Sequence, residues 1–532
     1  MRYAIHGCLA LVTALMLAAS AAATQPAPGP SPYTSIAQLQ RQLDAGTLDS
    51  VQLTRLFTAR IQQLDRSGPM LRAVLEINPD AVTLAATLDA ARAQAPARSA
   101  LYGLPLLLKD NIDTADSMHT SAGSLALTAA PAPRDAGLVS RLRTAGAVIL
   151  GKTNLSEWAN FRSTRASSGW SGRGGQTRNP YVLDRSPCGS SSGSGAAVAA
   201  GLAVAAIGTE TDGSVICPAA INGIVGIKPT LGLVSRSGIV PISHSQDTAG
   251  PMARSVADAA ALLTVIAGSD PRDPVTADAD AHATDYTHYL AADALRGKRI
   301  GVVRALAGYR PDVDQLLAHS IATLRAAGAV VVDPVVLPHL KDYGAAETTV
   351  LLYEFKHDVN AYLQTRTGLP VHSLADLIAW NRGHAATEMP WFAQELFEQA
   401  QAKGPLTDRA YLAALEKSKR LSGPQGIDAA LAANHLDALL APTQGPAWSI
   451  DLVNGDREGK SAYSAAAVAG YPAITVPAGF VHDLPIGMLF FAGKWSEPTL
   501  IAIAYGFEQR THAWQPPRFL DTVGGKPVVT QP

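Results

Sequence analysis

The sequence predicts an α/β layered fold. Two observations carry that expectation. Segments with apolar residues at helical spacing alternate along the chain with short apolar runs of strand length. Hydrophobic residues make up 47% of the 532 residues, enough for a large core and too many for a disordered chain. No internal repeat of about 20–50 residues is visible, which excludes a solenoid. Length alone, at ~150 residues per domain, allows three or four units.

The elements follow in order. Ile36, Leu39 and Leu43, then Val51, Leu53, Leu56, Phe57, Ile61 and Leu64, mark two helices broken at Gly46. Ala73 to Ile77 reads as a strand, and Asp80 to Ala95 as an Ala-rich helix. Tyr102 to Lys109 is a strand that ends on a lysine. Ala136 to Ala145 is a helix, followed by the strand Ala147-Val-Ile-Leu. Residues 161–185 hold five arginines among Gly, Ser and Asn, and read as a surface wrap. Ala196 to Ala200 suggests a helix capped by Ser194. Leu202 to Ile207 reads as a buried strand, and Gly250 to Leu263 as a capped helix. Pro271 to Asp293 is polar and marks an insertion or hinge. Strands are expected at 298–303, 329–332, 438–443, 473–479 and 486–493. Helices are expected at 313–324 and 498–510, and residues 370–420 as a helical cap over one edge.

Net charge is −1, so neither nucleic acid nor an anionic membrane surface is expected as a partner. Residues 1–23 read as a signal peptide: Arg2, an apolar Leu9 to Ala19, then Ala21-Ala22-Ala23 as a cleavage site. An uncleaved anchor is the alternative. Residues 24–34 are a Pro-rich mature terminus, and no later apolar run reaches membrane length. The chain is therefore expected to be exported, periplasmic or extracellular. Oligomeric state is left open, with a monomer compatible. Cys188 and Cys217 remain after cleavage, and are either a disulfide or two small buried thiols.

Several motifs compete. Gly146-Ala-Val-Ile-Leu-Gly-Lys-Thr matches the P-loop expression, but its middle positions read as a strand rather than an open turn. Gly189-Ser-Ser-Ser-Gly matches a nucleophile elbow with Ser191 as nucleophile, yet Asn179 to Pro187 is poor strand material. No metal-ligand spacing appears, and His119, His244 and His372 read as surface or packing residues. Two serine-bearing turns stand apart, at 186–195 and 208–214. Gly, Ser and Thr crowd both, which lets backbone N–H groups approach a substrate oxygen. Alone, Ser190 or Ser214 is a turn residue and Lys109 a solvated strand end.

Taken together these residues resemble the amidase signature family. Its pattern is Gly-Gly-Ser-Ser-Gly-Gly-Ser, then Gly-Thr-Asp-x-Gly-Gly-Ser, then Gly-x-x-Gly-Leu-Lys-Pro-Thr. The chain matches at 188–194, 208–214 and 223–230, with Cys188, Ser192 and Asp212 where Gly is usual. Leu106-Leu-Leu-Lys-Asp supplies the family lysine. The resemblance implies one large α/β domain over 35–515, a mixed sheet between helices, with 516–532 a tail. It implies a Ser–Ser–Lys triad of Lys109, Ser190 (in a cis peptide, bridging) and Ser214 (nucleophile). Backbone N–H groups of Thr211, Asp212, Gly213 and Ser214 form the implied oxyanion hole, and Ser191 supports Lys109 by a hydrogen bond. No cofactor and no metal are implied for catalysis. Thr209 to Ser214 and Ser245 to Met252 look most like bacterial peptide amidase, so a peptide amide is the expected substrate. A broad amidase acting on aliphatic or aryl amides, and a non-catalytic binding protein on this fold, are the alternatives. A glutamine-dependent amidotransferase is disfavoured, since an exported chain meets no aminoacyl-tRNA.

Overall fold

Apolar runs buried on both faces build the centre of the molecule. The computed structural model describes residues 30–94 and 98–529. The signal-peptide reading of 1–23 lies outside them, as does most of the Pro-rich terminus. The strands are β1 (Val74–Ile77), β2 (Pro105–Lys109), β3 (Val148–Thr153), β4 (Trp170–Ser171), β5 (Gly175–Gln176), β6 (Ala205–Glu210), β7 (Val225–Lys228), β8 (Thr248–Ala253), β9 (Arg299–Val302), β10 (Val330–Val332), β11 (Ala438–Pro442), β12 (Ala473–Val481) and β13 (Leu484–Phe491). Eleven of them form one sheet in the order β1-β3-β2-β6-β8-β7-β12-β13-β11-β9-β10, and β4 pairs only with β5. The sheet is mixed: β2 runs parallel to β3 and β6, whereas β8 is antiparallel to β6 and β7. Every residue of β2 and β6 is buried, as expected for strands covered by helices on both faces. Residues from Pro32 onward form one compact unit, so the α/β expectation holds and the multi-domain prior does not.

The parallel pairing of β2 and β6 matters most. Leu106, Leu107 and Leu108 lie opposite Ala205, Ala206 and Ile207. Both strands therefore end at the same edge, where open α/β sheets place their ligands. Lys109 closes β2 there, and β6 hands its chain to Thr211–Ser214.

The helix Ser192–Ala199 fills the space beneath. All eight of its residues are buried. A Cβ at Gly193 would lie 2.2 Å from Ala73 O and 2.5 Å from Asn154 O, so only glycine allows this approach. The expected cap at Ser194 is corrected: the helix begins two residues earlier. Ser194 Oγ lies inside it, 2.7 Å from Thr153 Oγ1. Gly250 to Ala253 is also corrected. It belongs to β8, and the helix starts only at Val256, capped by Ser255. Polar Thr248 and the proline at 251 hid a strand whose residues are all buried.

The segment 161–185 is not a surface wrap. Arg162 is 1% exposed. Its Nε lies 2.7 Å from Glu157 Oε1, and its guanidinium donates to the carbonyls of Glu388, Phe392 and Ala393. Arg173 pairs with Asp110 and Glu76. Buried arginines are tolerated only when paired and hydrogen-bonded in this way. The expected cap is present and larger than its predicted range, because the long helix Gly344–Gln364 precedes it. Trp158, Phe161, Phe355, Leu363 and Phe397 give it an apolar cluster of its own. The tail beyond 515 is tied down: Phe519 and Leu520 are buried, and their N–H groups donate to Pro180 and Tyr181. Among the described residues no helix is long and apolar enough to cross a membrane.

Candidate active site

Lys109 is fully buried, and its Nζ has three partners. Ser190 Oγ lies at 2.8 Å, Thr209 Oγ1 at 2.8 Å and Thr209 O at 3.2 Å. Burial lowers its pKa from 10.5 to about 7; Asp247 and Glu210 pull the other way. Ser190 follows a cis peptide after Gly189. The Ser191 N–H donates to Ser214 O at 3.1 Å, which sets the two serine turns against each other. Cys188 and Cys217 form a disulfide across the same junction. Of the two readings left open by the sequence, the disulfide is the one the structure contains.

The turn at 211–214 is held from three sides. Glu210 Oε2 accepts the N–H groups of Val215 and Ile216 at 2.8 and 2.9 Å, capping the short helix Ile216–Ile221 that follows. Asp247 Oδ1 accepts Thr211 Oγ1–H at 2.6 Å, and Gln246 Nε2 donates to Thr211 O at 3.3 Å. Gly213 has φ +80, and a Cβ there would sit 2.3 Å from the Tyr463 ring. The turn thus needs glycine for both its conformation and its neighbour. Burial pushes the Asp212 carboxyl well above the usual carboxylate range, and the charge of Glu347 beside it adds to the rise.

A cleft of about 330 Å³ opens over Ser214. Thr211, Asp212, Cys188 and Gly189 form its floor, and Phe161, Ile242, Leu351 and Leu396 an apolar wall. Ser163, Thr164, Ser168, Asp456, Glu458 and Tyr463 supply the polar side. The loop read as surface wrap therefore lines the site, and the cap contributes Leu351 and Leu396.

A family model described as Amidase matches residues 52–501. The chain belongs to the amidase family. It is 42% identical over 89% of its length to a probable amidase of Arabidopsis thaliana, of which it covers 89%. It is 36% identical to a glutamyl-tRNA(Gln) amidotransferase component of Pseudomonas syringae, covering 90% of this chain and 97% of that protein. The native peptide amidase of Stenotrophomonas maltophilia is a similar solved structure, at 58% identity and TM-score 0.88, with 92% of this chain and 100% of that one covered. A peptide amidase in complex with the competitive inhibitor chymostatin superposes with TM-score 0.89 at 57% identity, over the same shares. This amidase is accordingly a hydrolase of amide C–N bonds.

The structure gathers Lys109, Ser190, Thr211, Asp212, Gly213 and Ser214 at one sheet edge. One expected contact is corrected. Ser191 Oγ donates to Thr209 O at 3.1 Å and accepts from Thr209 N at 3.2 Å, so its support reaches Lys109 through Thr209. Thr209, Glu210 and Asp247 escaped sequence reasoning although they stand inside the quoted motifs, because a motif match does not say which side chain bonds which backbone. Glu347 and Tyr463 come from distant segments and carry no local signal.

The disulfide closes a loop with a sequence separation of 29. Chain-entropy reasoning gives such a cross-link about 3–4 kcal/mol. We expect Cys188→Ser/Cys217→Ser to melt at a lower temperature than the parent amidase, and reductant to lower the parent's melting point but not the variant's. Calorimetry with and without dithiothreitol checks this; equal melting points would show that the bond contributes nothing to stability.

Proposed function

We propose that this amidase removes the C-terminal carboxamide of peptides, giving the free acid and ammonia, by acyl transfer through Lys109, Ser190 and Ser214. The observation that carries the reading is the buried Lys109 Nζ at 2.8 Å from Ser190 Oγ, beside a cleft floored by Ser214. A neutral lysine fits its three contacts. Nζ lies within hydrogen-bond distance of Thr209 O, Thr209 Oγ1 and Ser190 Oγ; in the neutral form two N–H groups would serve Thr209 and the lone pair would be left for the Ser190 hydroxyl. In this scheme Lys109 takes the proton of Ser190 as Ser190 takes that of Ser214, and Ser214 Oγ attacks the amide carbon. The N–H groups of the 211–214 turn receive the oxyanion, each key donor contributing ~3–4 kcal/mol. The proton returns along the same path to the departing nitrogen. Water then enters as the second nucleophile and releases the acid.

Similarity to the peptide amidase structures supports the substrate class. So does the cleft itself, whose apolar wall suits side chains and whose Ser163, Thr164 and Ser168 offer partners to a peptide backbone. The disulfide supports export into an oxidising compartment.

Ser214→Ala should abolish hydrolysis with the melting curve retained, and Ser191→Ala should be milder. The reverse order would favour an elbow nucleophile at Ser191. Below pH 7 Lys109 gains a proton and ceases to be a base, so kcat/KM should fall on the acid side with an apparent pKa near 7. Lys109→Arg should stay inactive because guanidinium does not deprotonate; near-normal turnover would remove Lys109 from the mechanism.

Substrate class is tested with a peptide amide, the same peptide as free acid, and an aliphatic amide. Mass spectrometry should show a gain of about one mass unit on the peptide amide alone. Internal cleavage, or faster turnover of the aliphatic amide, would sink the peptide reading and spare the triad.

Export is tested by expressing the full chain in a Gram-negative host, fractionating the cells and sequencing the N-terminus. A chain beginning at Thr24 in the periplasm or medium is expected. An intact Met1 in the cytoplasm would refute it.

A further inference from the structure

Outside the cleft, two imidazoles converge on one carboxylate. His244 lies in the segment before β8, and His357 and Asp358 lie on the helix Gly344–Gln364. One ligand atom from each of the three falls within 4.8 Å of the others. His244 Nδ1 is 2.9 Å from Asp358 Oδ2 and 3.1 Å from Oδ1, and His357 Nδ1 is 2.8 Å from Asp358 Oδ1. The far nitrogen of His244 has a partner of its own: Nε2 lies 3.4 Å from Glu354 Oε1. Glu354 is fully buried, where Tyr411 Oη donates to Oε1 at 2.7 Å and Ser245 N to Oε2 at 3.0 Å. A buried acid beside one ring nitrogen, with the other nitrogen facing a second ligand, is the usual setting of a metal-binding histidine.

We propose that His244, His357 and Asp358 bind a divalent transition metal of the zinc type. Two imidazoles and a carboxylate suit zinc, whereas calcium and magnesium call for oxygen ligands. Tetrahedral zinc with bonds of ~2.0–2.1 Å spaces its ligand atoms by about 3.4 Å. The nitrogen–oxygen pairs stand at 2.8–3.1 Å and all three ligand atoms lie within 4.8 Å of one another, so modest side-chain adjustment brings them to that spacing. The cation facing this group, Arg236, is engaged by Asp273 at 2.6 and 3.0 Å, which offsets its repulsion. The His244 and His357 side chains are 42% and 59% exposed, so a hydrated ion has access and water completes the shell.

The ion is a clip rather than part of the chemistry. It fastens the segment carrying Gln246 and Asp247, which hold Thr211, to the helix that carries Glu347. Binding to the folded chain alone stabilises it by mass action.

The test uses untagged, chelator-treated enzyme titrated with zinc chloride in a calorimeter, with melting followed in parallel. One equivalent should bind and raise the melting temperature. Cobalt(II) at the same site should give the intense visible bands of a tetrahedral ion. His357→Ala and Asp358→Asn should each lower zinc affinity at least tenfold, while metal-free amide hydrolysis by His357→Ala stays at the parent rate. Failure of the parent to bind zinc saturably, or equal affinity in parent and His357→Ala, would overturn the proposal.

Discussion

The structure depends on keeping a lysine dry. Strand β2 is buried along its whole length and ends in Lys109, so the ammonium has no water to solvate it. The amine gives up its charge near neutrality instead. That works only because the register of β2 against β6 delivers Thr209, with a hydroxyl and a carbonyl, to the same point. Exposing Lys109 would return it to its ordinary pKa and leave it charged at neutral pH. The sheet order therefore fixes an electrostatic property as well as an architecture.

Small residues make the rest of the site possible. The helix Ser192–Ala199 packs closely because its residues are small: Gly193 lies against Ala73 O and Asn154, Gly195 against Pro218, and Ser194 Oγ meets Thr153 and Ile207 O. Gly213 turns the chain under Tyr463, where any larger residue would meet the ring. Polar neighbours then satisfy what tight packing leaves behind. Glu210 takes two amides at the start of the helix Ile216–Ile221, and Asp247 takes the Thr211 hydroxyl together with the N–H groups of Ile242 and Ser243. These two carboxylates pair donors that burial would otherwise leave without water or partner, at a cost of about 1–3 kcal/mol each.

Much of this was legible from the residues. Apolar runs marked most strands within two or three residues, and the resemblance of the serine turns and the lysine to the amidase signature implied Lys109, Ser190 and Ser214. What escaped had physical reasons. Strand β8 carries polar and proline residues yet is buried on both sides, so its pattern never alternates. Arg162 and Arg173 looked solvated because their partners Glu157, Asp110 and Glu76 cannot be paired with them by sequence spacing, whereas Arg165 and Arg178 are exposed. Glu347 and Tyr463 reach the 211–214 turn through tertiary packing, from the helix Gly344–Gln364 and from the start of the helix Ser464–Ala469.

The bond between Cys188 and Cys217 has one more consequence. It closes a covalent ring that contains Ser190, the helix Ser192–Ala199, strand β6 and Ser214. Phe161, Leu351 and Leu396, the apolar wall over that ring, belong to chain outside it and are held by packing rather than by a covalent tie. Spacing of the two serines and shape of the entrance are thus governed by separate parts of the polypeptide. A change in the packing of the outer wall therefore alters the entrance while leaving the covalent ring beneath it closed.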